Sequence, residues 1–148
     1  MEYIIERNSK KLTAEILHNL RIAVRWPSNV NNCENELTHT YSNFSAWSNN
    51  ICVGYANSIS DGVSDALINN LIVLPRFQNQ GIGTKLIQTL IAELRNDGVK
   101  FFNIVFEPRL GGFYKKLGFK LLSAGIMDFY DLSESVVPDG WQGVKEKL

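Results

Sequence analysis

The chain has 148 residues, 45% apolar and 20% charged, a length and composition suited to one globular domain with a buried core. Fifteen Lys and Arg balance fifteen Asp and Glu, so no net field favours nucleic acid or an anionic membrane. No window approaches the roughly 18 consecutive apolar residues of a membrane-spanning helix.

The opening, MEYIIERNSKK, turns charged almost at once and carries no signal-peptide apolar stretch, and the expected location is cytoplasmic. Residues 2–6 form a strand candidate. Leu12, Ile16, Leu17, Leu20 and Val24 recur at helical spacing, which predicts an amphipathic helix ending before Pro27. The Asn-rich residues 28–35 read as a loop, followed by a short helix over residues 34–41. FSAW and ICVGYANSIS, separated by Asn49 and Asn50, read as a hairpin, and Asp61-Gly62 marks the next turn. Residues 66–74 return as a strand. Cys33 and Cys52 fit neither a metal-ligand spacing nor a disulfide framework, and read as idle thiols.

Leu86, Ile87, Leu90, Ile91 and Leu94 mark one face of a second long helix, with Gly98 as its stop. Residues 100–106 are almost continuously apolar, the pattern of a strand covered on both faces. GGFYKKLGF predicts a short helix, and residues 120–122 and 126–132 a last pair of strands. The expected fold class is α/β (α+β), a mixed sheet with helices on both faces.

Between the strand and the long helix lies RFQNQGIGTKL, residues 76–86. A strand that turns through glycines into a helix leaves backbone N–H groups unpaired and convergent, with the helix dipole adding positive charge there. Phosphate is the usual guest of such a site. Side chains at Gly81 and Gly83 would block close approach of the backbone to it. A Walker loop requires Gly-Lys and then Ser or Thr, whereas this chain has Gly83-Thr84-Lys85. A dinucleotide fingerprint requires a third glycine at the position of Leu86. Both readings fail.

Gln78-x-x-Gly81-x-Gly83, directly after Val73-Leu74-Pro75, resembles the pyrophosphate loop of the GNAT superfamily of N-acetyltransferases. FYKKLGF, residues 113–119, resembles that family's Phe-Tyr-x-x-Leu-Gly-Phe segment, and the helix and strand between the two motifs come in the family's order. The resemblance implies a mostly antiparallel central sheet and a single acetyltransferase domain over residues 1–148, with residues 133–148 as a C-terminal extension. It also implies acetyl-CoA as cosubstrate, with no metal. The amides of Asn79, Gln80, Gly81, Ile82, Gly83 and Thr84 would wrap the diphosphate. The main chain of Leu71, Ile72 and Val73 would lie along the pantetheine arm, on a strand splayed from the next one.

By the same resemblance, Tyr114 is the candidate general acid that protonates the leaving thiolate. The base is unknown. Where many members carry a carboxylate, this chain has Asn69, Asn70 and Asn103; Glu107 is the candidate base, with Asp61, Glu36 and His39 as others acting through water. Trp26 and Tyr55 are candidate acceptor contacts, set among further aromatics, Tyr41 and Trp47. The expected reaction is direct attack by a primary amine of a small molecule on acetyl-CoA. A CoA-binding module without catalysis, and an enzyme acting on a protein N-terminus or lysine, stay open. No nucleic acid, membrane or metal partner is expected. A homodimer is left open, with residues 133–148 packing over the sheet or reaching a partner subunit.

Overall fold

A computed structural model describes residues 2–126. In chain order they form β1 (Ile4–Arg7), α1 (Ala14–Ala23), α2 (Val30–His39), β2 (Ser42–Ser48), β3 (Ile51–Ser60), β4 (Asp65–Val73), a 3-10 turn (Pro75–Phe77), α3 (Ile82–Asn96), β5 (Phe101–Ile104), a second 3-10 turn (Pro108–Leu110) and α4 (Gly111–Lys116). The sheet runs in the order β1-β2-β3-β4-β5. Its first three pairings are antiparallel and β4 with β5 is parallel.

Local chemistry explains most of the boundaries. Thr13 caps α1 by accepting the Ile16 N–H at 3.3 Å. Asn49 and Asn50 both adopt positive φ, 47° and 63°, as the two-residue turn between β2 and β3 requires. The Asp61 carboxylate accepts the N–H groups of Val63, Ser64 and Asp65 and so closes the β3–β4 turn. Those bonds hold its carboxyl below the usual carboxylate range.

The reading of residues 28–35 as a loop is corrected here. Asn29 is an N-cap whose side chain accepts the Asn32 N–H at 2.8 Å, and the helix begins at Val30. The asparagines conceal an amphipathic segment that buries Cys33 and packs Leu37 against α1 and the sheet.

Two clusters sandwich the sheet. α1 and α2 cover one face, through Leu17, Leu20, Cys33, Trp47, Tyr55 and Ile72. α3 covers the other, with Leu86, Ile87, Leu90 and Leu94 against Phe44, Ala46, Val53 and Ile68. A Cβ on Gly54 would lie 2.9 Å from Leu86 Cδ1 and 3.1 Å from the Ile72 carbonyl oxygen, so α3 can approach β3 only over a bare glycine.

The chain's end departs from expectation. β5 spans four residues rather than 100–106, and Phe101 and Val105 are 57% and 52% exposed, so among the described residues it is not covered on both faces. An apolar run shows a tendency to bury, not how much of it is paired. Residues 120–122 join no ladder; Leu121 instead sits beside Gly111 of α4. Of the expected strand 126–132, Ile126 is outside any strand, and the remainder, with the tail 133–148, lies outside the described residues.

Gly54→Ala is expected to lower stability by about 1–3 kcal/mol through overpacking. A denaturant midpoint equal to the parent's would show that α3 can shift outward freely.

Candidate active site

Among the described residues, β4 pairs with β5 at residues 65–68 and no further, so residues 69–73 are bonded to β3 alone and their other edge is free. The Leu74 N–H donates to the Val53 carbonyl at 2.9 Å, and strand alternation therefore points the Val73 N–H at the free edge. On the same side the Val73 carbonyl accepts the Gln78 side-chain amide at 2.9 Å. That bond ties the end of β4 to the loop after it, giving Gln78 of the motif a mechanical role.

The loop then reaches α3 through positive φ at Asn79 (59°) and Gly81 (81°). No atom lies within 4 Å of where a Gly81 side chain would start, so its glycine serves the left-handed backbone. At Gly83 an added Cβ would meet Val73, Phe113 and Leu71 at 3.6–3.9 Å, ordinary contact distances. Neither glycine is required by crowding within the protein. The first α3 bond anchored in this loop is Lys85 N–H to the Gly81 carbonyl at 3.0 Å. The N–H groups of Ile82, Gly83 and Thr84 therefore have no helical acceptor and carry the positive end of the dipole.

Loop, strand edge and α4 open on one cleft of about 780 Å³. Eight of the nine cofactor candidates line it: Leu71, Ile72, Val73, Asn79, Gly81, Ile82, Gly83 and Thr84. The Gln80 side chain turns back to the Arg76 carbonyl at 3.1 Å instead. Trp26 and Tyr114 also line the cleft, joined by Arg25 and Arg109, whose positive charge suits an anionic guest. Sequence reasoning passed over those two arginines. Arg25 enters through a positive φ of 62° just past α1, which no motif signals.

Tyr114 is 4% exposed and caged by aromatic rings, stacked on Phe106 at 4.3 Å and edge-on to Phe113 at 4.9 Å and Phe119 at 5.8 Å. Burial raises its phenol above the ordinary tyrosine value, so the proton is held through neutral pH.

The other candidates lie elsewhere. Tyr55 is fully buried and its hydroxyl donates to Glu36 Oε1 at 2.9 Å, away from the cleft lining. The Glu107 carboxylate is 67% exposed and paired with Arg109 Nε at 2.5 Å. Asp61 caps its turn, and His39 Nδ1 bonds to the Asn35 carbonyl on α2. Among the described residues, none lining the cleft is acidic. Cys33 and Cys52 are free and buried, and burial pushes the Cys52 thiol up to about 12.

A loop with unpaired N–H groups at a helix start, set beside a strand edge unpaired among the described residues, fits a domain of the acetyltransferase class. The chain belongs to the GNAT family: the Acetyltransferase (GNAT) domain matches residues 24–127. It is similar to serotonin N-acetyltransferase 2, chloroplastic, of Oryza sativa subsp. japonica, at 38% identity over 69 residues, 47% of this chain and 34% of the relative. The chain thus spans about a third of that relative's length. The fold also matches a GNAT family acetyltransferase from Streptococcus pneumoniae TIGR4, with a TM-score of 0.74 and 25% identity over 86% of this chain and 98% of that one. An aminoglycoside N-acetyltransferase in complex with CoA gives a TM-score of 0.71 at 17% identity, covering 86% and 93%.

Gln78→Ala should release the end of β4 from the loop. Amide exchange at residues 79–81 is expected to quicken, at a stability cost of no more than about 1 kcal/mol for one exposed hydrogen bond. Unaltered exchange would show that the loop holds its shape without Gln78.

Proposed function

We propose that this chain transfers the acetyl group of acetyl-CoA to a primary amine of a small molecule by direct attack. The observation that carries the proposal is the free edge of residues 69–73, ending in the loop at α3 and facing the same cleft as Tyr114. A pantetheine arm carries amide donors and acceptors that can pair with such an edge as another strand would. Its diphosphate suits the unpaired N–H groups of Ile82, Gly83 and Thr84. The CoA complex of the aminoglycoside enzyme supports this reading at the level of fold.

The amine nitrogen attacks the thioester carbonyl carbon, the carbon–sulfur bond breaks, and the amide product keeps the acetyl group. A backbone N–H of the 71–73 segment that points at the free edge, as that of Val73 does, stabilises the oxyanion that develops. Tyr114 gives its proton to the departing sulfur. The ammonium proton leaves through water, since no carboxylate lines the cleft among the described residues. Trp26 offers an apolar wall to the acceptor. The serotonin N-acetyltransferase relative is in keeping with a small arylalkyl amine.

Thiol release from acetyl-CoA over a panel of small amines and peptides tests the proposal. Turnover with small amines supports it. Faster turnover with peptides would move the acceptor to a protein N-terminus or lysine, and binding without turnover would leave a CoA-binding module.

Thr84→Glu sets a carboxylate in the first turn of α3, where the dipole favours it by about 0.3–1 kcal/mol. The fold should therefore persist while coenzyme A affinity is lost. Unchanged affinity by calorimetry would remove the diphosphate from this loop.

Tyr114→Phe should leave coenzyme A affinity near the parent's and lower kcat by about 10²-fold, as for loss of a positioned acid. Because burial raises the phenol, the parent's alkaline limb from Tyr114 should fall above a pH of roughly 10, the ordinary tyrosine value. A folded, cofactor-binding variant with parental kcat across pH would reduce Tyr114 to packing.

A further inference from the structure

β4 carries one residue more than β3 across their pairing: Tyr55 faces Ile72, and two residues later Asn57 faces Asn69, three back. Within this bulge is Asn70, at a φ of 52° that is uncommon outside glycine and that asparagine tolerates better than most residues. Its side chain is held. Asn70 Nδ2 donates to Glu36 Oε1 and to Asn57 Oδ1, each at 3.3 Å. The same Glu36 oxygen accepts the Tyr55 hydroxyl at 2.9 Å and Asn57 Nδ2 at 3.3 Å, and the other oxygen pairs with Arg21 of α1.

One carboxylate on α2 thus gathers donors from β3, β4 and α1. It is 18% exposed, and Arg21 is 13% exposed. With both oxygens occupied by donors, Glu36 is built as an anchor. Burial and the Glu36 charge push the Tyr55 phenol up, which keeps that hydroxyl a donor.

The bulge determines where the cleft's backbone groups point. Deleting the extra residue from the pairing would slip the register by one, exchanging the faces of residues 71–73 and the edges their N–H groups address. We infer that Glu36 is a positioning residue: through Asn70 it holds the β4 bulge so that residues 71–73 keep the register that presents the Val73 N–H at the free edge. The inference rests on the acetyl-transfer reading for its effect on rate, not for its effect on the strand.

Two variants test it. Asn70→Gly removes the tether and keeps a residue at ease with positive φ, so the protein should fold. Glu36→Gln keeps the size of the anchor and removes its charge. For Asn70→Gly, kcat is expected to fall roughly ten- to a hundredfold, as for slight misplacement of reacting groups. KM for acetyl-CoA and the melting temperature of Asn70→Gly should stay near the parent's; Glu36→Gln should lower kcat in the same direction and also lower the melting temperature, because Arg21 loses its charge partner. A parental kcat in Asn70→Gly would overturn the inference, as would equal losses in kcat, coenzyme A affinity and melting temperature, the mark of a general scaffold. Amide exchange at residues 71–73 reads the tether without turnover: both variants should exchange faster there than the parent, with α3 unchanged. If the parent acetylates no amine, the acetyl-transfer reading fails while the exchange result still decides the tether; unchanged exchange overturns it.

Discussion

Two parallel strands that part company after four residues leave backbone donors and acceptors without a partner among the described residues, and the site depends on that separation. Orphaned main-chain groups are costly where water is excluded, so a native fold exposes them to solvent or to a ligand of matching pattern. Here they face a cleft floored at one end by an equally unsatisfied helix N-terminus. The two sets are continuous, joined by the Gln78 bond to Val73. An extended amide-bearing chain ending in phosphate is the guest that satisfies both at once.

The remaining parts of the molecule keep this edge open and correctly aimed. α3 is seated on β3 over Gly54, which brings its first turn to the end of β4. The bulge at Asn70 turns the strand just before the cleft, and the buried cluster beneath α1 and α2 braces it from the far face. α4 presents Tyr114 in a cage of rings that protects its proton. On the proposed reading, loop and strand edge hold the cofactor, and the same strand edge and Tyr114 of α4 serve the chemistry.

The sequence was most legible where a local rule has a fixed spacing. Gln78, Gly81 and Gly83 marked the loop because only certain residues allow that backbone path, and the apolar positions of α3 at three- and four-residue spacing marked its buried face. The Asn49-Asn50 turn was legible for the same reason. α2 was not, because eight of the residues from Asn29 to His39 are polar or charged and its burial rests on Cys33, Glu36 and Leu37 alone. The anchoring function of Glu36 was equally hidden. It depends on Arg21, Tyr55, Asn57 and Asn70 converging on α2 from three other elements, and no spacing in the chain encodes that convergence. The exposed edge of β5 was misread because an apolar run does not show what covers it. The splay itself is a pairing property, invisible until partners are known.

The account stands or falls on whether coenzyme A pairs with the free edge of β4. Backbone amide chemical shifts of the labelled protein, followed during titration with coenzyme A, address this directly. If coenzyme A pairs with that edge, the largest changes fall at residues 71–73 and 81–84, with those of β1 and α2 small. Saturable binding whose changes bypass residues 71–73 would contradict it.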